Sequence, residues 1–101
     1  MSFLPLEKLH QLYDGYRRIF RIEGEEWVLI QDEGKVHLIQ NRCPHLGAPL
    51  SQATQAEGEL RCPRHGMTFS LMTGHCLSDS AVSRLVKRPL IYEGNQIGVD
   101  M

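Results

Sequence analysis

Two short stretches of this 101-residue chain hold the side chains best suited to chemistry. Cys43-Pro44-His45-Leu46-Gly47 and Cys62-Pro63-Arg64-His65-Gly66 spell C-x-H and C-x-x-H, with sixteen residues between His45 and Cys62. Each arm offers one thiolate and one imidazole, both good ligands for soft and borderline metal ions. Zinc is the ordinary partner of two cysteines and two histidines. A zinc finger, however, usually presents its cysteine pair first and its histidine pair later, on a helix. Here each arm mixes the two ligand types, which suits a binuclear iron–sulfur centre with thiolates on one iron and imidazoles on the other. Zinc, and a chance meeting of buried thiols with hydrogen-bonded histidines, stay open as alternatives at this level.

The residues around the ligands are consistent with arms built for close approach. Gly47 and Gly66 permit tight turns in which backbone nears a bound group, and backbone N–H groups aimed at sulfur would stabilise added negative charge. Pro44 and Pro63 stiffen the two arms at related positions, so less freedom is lost on ordering them. Cys76 is left over once the arms have supplied four donors, and reads as a buried or half-buried thiol. With no disulfide framework visible, an oxidising compartment is not implied.

A chain of this length is one domain, spanning 1–101, with a modest core that a metal centre joining two loops would help to hold. Its formal net charge is −1, from 11 basic and 12 acidic side chains, which gives no broad basic field for nucleic acid. Arg17, Arg18 and Arg21 read as the wet face of a strand. No apolar run is long enough to span a bilayer and residues 1–20 lack the order of a signal peptide, so the expectation is a soluble, cytoplasmic protein without a membrane partner.

The elements that must position the arms are mostly strands. Pro5 followed by Leu6, Leu9 and Tyr13 predicts a short helix ended by Asp14-Gly15. Strands are expected at 16–22, 27–30 and 36–39, the last two joined by a hairpin through Asp32-Glu33-Gly34-Lys35. Residues 48–60 read as a polar excursion between the arms that loops out and returns. Brief strands follow at 67–71, 81–87, 89–92 and 97–99, with a turn at Thr73-Gly74. The fold class is therefore all-β: an antiparallel sandwich or barrel with a cluster-holding insertion at 41–76.

Cys43-Pro44-His45-Leu46-Gly47-Ala48-Pro49-Leu50 and Cys62-Pro63-Arg64-His65-Gly66, followed by Phe69 and Thr73-Gly74, resemble the Rieske-type [2Fe-2S] domain family. The resemblance covers roughly residues 15–100 and implies a Rieske-like β fold with one [2Fe-2S] cluster. It implies that Cys43 and Cys62 hold the inner iron, and that His45 and His65 hold the outer iron through Nδ1. Respiratory members of the family carry an additional cysteine in each arm, paired as a disulfide. Ala48 and Arg64 occupy the corresponding places here, so that disulfide is not expected. High-potential members place a serine after the second His-Gly, whereas this chain has Met67, which implies a lower potential.

Four protein ligands leave a cluster no open site for a substrate, so the expected chemistry is one-electron transfer without turnover of its own. The chain resembles the small ferredoxins of bacterial aromatic-ring dioxygenase systems. That implies a flavin-dependent ferredoxin reductase as donor, a terminal oxygenase as acceptor, and a free monomer. The alternatives are a small Rieske subunit of a nitrite reductase or other multi-subunit oxidoreductase, and a non-catalytic redox sensor or scaffold. Arg42, Arg61 and Arg64 sit beside the ligands and could form a positive rim for a partner. His75, His10 and His37 read as turn, helix-surface and strand residues, and Trp27 and Phe69 as packing groups.

Overall fold

Glu-Gly pairs punctuate this chain, and in the computed structural model, which describes residues 2–45, 47–63 and 66–101, they close its hairpins. Glu33 and Gly34 adopt φ of 51° and 76° between β3 (Glu25–Asp32) and β4 (Lys35–Gln40), with Asp32 opposite Lys35. Positive φ at both central residues is what a type I′ turn needs, and its twist matches that of the flanking strands. Glu23-Gly24 joins β2 (Arg17–Ile22) to β3 in the same way, with φ of 52° and 83°. Glu57-Gly58 turns β5 (Thr54–Ala56) into β6 (Glu59–Arg61), with φ of 53° and 77°. The segment expected to loop out between the arms is thus a hairpin, preceded by a 3-10 turn at Leu50–Gln52.

Among the described residues three antiparallel sheets result. The first runs β2-β3-β4-β8, where β8 is Lys87–Arg88, and the second runs β5-β6-β7, where β7 is Thr68–Ser70. The third joins β1 (Phe3–Lys8) to β10 (Gln96–Asp100) and β9 (Ile91–Glu93). No α-helix occurs among the described residues, and no helix there is long and apolar enough to cross a membrane.

Two expected elements need correction. The N-terminal helix is instead β1 followed by a 3-10 turn at Leu9–Gln11. Leu6, Leu9 and Tyr13 suit a helix, but Leu4 and Leu6 also alternate as a strand does, and pairing with β10 satisfies the backbone while packing both against the core of Ile97 and Val99. Pro5, which has no N–H, sits where the register of that pair slips. The expected strand at 81–87 is mainly a crossing loop whose amides bond elsewhere: Leu85 to the Gly74 carbonyl at 2.8 Å and Val82 to that of Asp79 at 3.1 Å. Only its end, Lys87, joins Arg88 in β8.

β3 explains how the layers hold together. Trp27, Val28, Leu29 and Ile30 are buried in succession because the strand is covered on both faces. Leu29 and Leu38 face a cluster with Tyr16, Ile22, Ile97 and Val99. Val28, Ile30 and Ile39 face the other way, onto Leu50, Leu60, Phe69, Leu71 and the cysteines of both arms. Truncating any of these central aliphatics to Ala would cost about 2–5 kcal/mol, so the arms rest on one of the firmest parts of the molecule.

Candidate metal centre

The first arm leaves β4 through Asn41, whose Oδ1 accepts from the amides of Leu50 at 2.8 Å and Ser51 at 2.9 Å. That side chain ties the start of the arm to the 3-10 turn at its far side. Within the arm, the Cys43 amide donates to the Ala48 carbonyl and the Gly47 amide to the Cys43 carbonyl, both at 2.7 Å. The second arm leaves β6 and repeats the pattern: Cys62 donates to the Met67 carbonyl at 2.8 Å and Gly66 to the Cys62 carbonyl at 3.0 Å. Each cysteine is therefore bracketed by a residue five positions on and a glycine four positions on. The two arms share this backbone hydrogen-bond pattern, although in the sequence their histidines stand at different offsets from the cysteine.

The glycines take φ of 77° at Gly47 and 66° at Gly66, the left-handed region where a side chain is strained. An arginine precedes each cysteine and folds over the matching glycine. A Cβ on Gly47 would stand 3.5 Å from Arg42 Nε, and one on Gly66 3.1 Å from Arg61 Nη2.

Cys43 and Cys62 are each 1% exposed and belong to one apolar cluster with Leu60 and Phe69. His45 is half-buried and lines an open groove of about 390 Å³ with Cys43, Arg42 and Arg84. His65 and Arg64, with Leu46, lie outside the described residues. Among the described residues, no three His, Cys, Asp or Glu side chains gather into a single-ion site. Cys76 lies off both arms, half-buried and bridged to Phe69. Met67 packs against the cluster that holds the cysteines.

Other side chains differ in how well they match their expected places. Arg17 is no wet-face residue: its guanidinium donates to the carbonyls of Ser51 (3.0 Å) and Ala53 and to Gln55 Oε1 (2.7 Å), joining β2 to the segment after the first arm. Unsatisfied carbonyls of the 3-10 turn draw it inward. Arg18 and Arg21 do face solvent, near Glu7 and Glu26. His10 and His75 are exposed, while Trp27 and Phe69 are buried. Sequence reasoning missed Arg84, which the crossing loop carries to the first arm from forty residues away. No periodic signal marks such a residue.

The family profile described as Rieske [2Fe-2S] domain matches residues 2–89. The chain is 31% identical over 98 residues to the ferredoxin component of the alkene monooxygenase system of Xanthobacter autotrophicus, covering 96% of this chain and 80% of that protein. It is 36% identical over 63 residues to apoptosis-inducing factor 3 of mouse and human. That match covers 62% of this chain but 10% of those proteins, so the chain spans about a tenth of their length. Among solved structures, the ferredoxin of carbazole 1,9a-dioxygenase from Nocardioides aromaticivorans superposes with a TM-score of 0.83 at 28% identity. The superposition covers 98% of this chain and 97% of that one.

Proposed function

The chain belongs to the Rieske [2Fe-2S] domain family and has a single site for a cluster of that type; on that premise we propose that it is a one-electron carrier of the small ferredoxin kind. In this reading Cys43 and Cys62 hold one iron, and His45 and His65 hold the other. The observation that carries it is the unequal burial of the two donor types: both thiols are sealed in an apolar cluster, while the His45 imidazole is half-buried beside an open groove. Such a donor set fits the group, with sulfur in a dry interior and imidazole toward the surface from which an electron must leave.

When bound, the cluster supplies reversible one-electron chemistry, and its imidazole-ligated iron is the easier to reduce. What the chain contributes is position. The matched brackets on Cys43 and Cys62 hold each cysteine's backbone amide and carbonyl in place, so the thiolates are presented from rigid turns. Asn41 secures the first arm, and the strands on which both cysteines rest are the most buried of the fold. Little reorganisation is then needed as charge comes and goes.

The proposed assembly is one domain over 1–101, with 41–76 as the cluster-binding part and the remaining strands as its support. The donor is a flavin-dependent reductase and the acceptor a terminal oxygenase, met by a single free copy of this chain in the cytoplasm. Supporting this are the likeness to the alkene monooxygenase ferredoxin component, over 96% of this chain and 80% of that protein, and the fold shared with a dioxygenase ferredoxin.

The test is anaerobic purification, an assay of iron and acid-labile sulfide, and low-temperature EPR after dithionite reduction. Two irons and two sulfides per chain with a single unpaired electron are expected, and Cys62→Ser should lose both. A folded protein with one zinc and no sulfide would overturn the reading.

A further inference from the structure

Among the described residues, four arginines have a partner within the chain. Arg18 faces Glu7 at 3.5 Å, Arg21 faces Glu26 at 3.9 Å, Arg88 faces Glu23 at 3.3 Å, and Arg17 is spent on carbonyls and Gln55. Arg42, Arg61 and Arg84 differ: all are exposed, and among the described residues none forms a salt bridge. Two of them, Arg42 and Arg84, rim the groove whose wall includes Cys43 and His45. Gln40, Ser83 and Val86 complete the rim, and no carboxylate among the described residues lines it. Val86 is 50% exposed there, which adds an apolar contact beside the two charges.

The geometry points to this groove as the docking face for a redox protein whose own contact surface is acidic. The inference rests on the carrier reading above and names the partner's chemistry. Arg42 and Arg84, neither in a salt bridge among the described residues, put two positive charges on the groove at the first arm, while the carboxylates nearest it are engaged: Glu25 accepts from Gln40 Nε2, and Glu26 accepts from Asn41 Nδ2 and faces Arg21. A carboxylate-bearing surface is steered toward such charges and held by bidentate pairing. The groove is open and its charged groups are exposed, so it suits a broad protein surface better than an enclosed small anion. A partner seated there stands against Cys43 and His45, which makes the electron path short.

Stopped-flow kinetics with two haem acceptors tests this. Dithionite-reduced protein, freed of excess reductant, is mixed with cytochrome b5, which is acidic, or with cytochrome c, which is basic. One electron leaves the reduced cluster, which returns to its oxidised state, and ferric haem becomes ferrous; no bond or proton changes place. The bimolecular rate with cytochrome b5 should fall as ionic strength rises from about 20 to about 500 mM. In Arg42→Gln/Arg84→Gln it should drop about tenfold at low salt and lose that salt dependence. The rate with cytochrome c should not drop.

The dissociation constant for cytochrome b5, read by surface plasmon resonance, should rise in step. Arg84→Gln alone, off both arms, should show part of the effect with iron content unchanged, and Arg21→Gln should show none. A fully loaded double variant with wild-type rate and salt dependence would sink the docking face while leaving the carrier intact. Wild-type protein without iron and sulfide would instead remove the carrier reading itself, and the docking face with it.

Discussion

The ammonium of Lys87 stands 3.2 Å from Nδ1 of His37, inside a fold that keeps His37 8% exposed. The same ammonium donates to the carbonyls of Leu71 and of Met72 (3.0 Å), so β8 is stitched to the chain just beyond β7. Burial first, and then the Lys87 charge, push the His37 pKa down to about 4, with Asp32 opposing and Lys35 adding to the effect.

That geometry makes stability depend on pH with a definite sign. The folded state keeps His37 neutral, while the unfolded chain takes up its proton near 6.5, so between about 4 and 6.5 the unfolded state binds more protons. The contribution is complete above about pH 6.5 and lost as pH falls toward 4, and it amounts to at most about 3 kcal/mol. Urea unfolding at several pH values should show this slope, and His37→Gln, which keeps an acceptor for Lys87 but cannot titrate, should flatten it. An unchanged slope in the variant would assign the effect to other groups.

The arm glycines should matter for backbone reasons. Ala at Gly47 or Gly66 must hold a positive φ, at about 1–3 kcal/mol each, whereas the guanidiniums nearby are flexible and can yield. The two substitutions should therefore cost similar amounts, and each should lower the iron and sulfide retained after anaerobic reconstitution. Normal loading in both variants would show that the arms tolerate another turn.

Gly98 poses the opposite problem. A Cβ there would lie 2.0 Å from the Leu4 carbonyl oxygen, a backbone atom held in the β1–β10 pair. Gly98→Ala should thus destabilise by about 3 kcal/mol or more through overpacking, enough to move a denaturation midpoint markedly. A loss below that of Gly47→Ala would mean that β1 detaches at little cost.

Met67 offers a handle on potential. Its carbonyl bond to the Cys62 amide is backbone and survives substitution, so Met67→Ser exchanges an apolar side chain for a donor. A new hydrogen bond of about 1–2 kcal/mol to the reduced centre would raise the midpoint by about 40–90 mV for one electron. Protein-film voltammetry reads this directly. A midpoint that stays put would remove Met67 as a cause of low potential.

Much of the fold was legible because its signals are local. Asp32-Glu33-Gly34-Lys35 demands a hairpin from its own backbone, and Trp27 to Ile30 announces a strand wherever it packs. The first turn of the chain was not legible, because Leu6, Leu9 and Tyr13 satisfy a helical spacing while Leu4 and Leu6 alternate as in a strand. β10, more than eighty residues downstream, decides between them by supplying backbone partners.

The division is the same at the site. The donor types, a thiol and an imidazole within five residues in each arm, are set by the sequence itself, and a tight turn follows from the glycines. Tertiary structure alone decided that Arg17 turns inward, that Lys87 meets His37, and that Arg84 arrives beside Cys43. Those placements depend on which carbonyls and charges distant segments leave unsatisfied, a balance that exists only once the layers have packed.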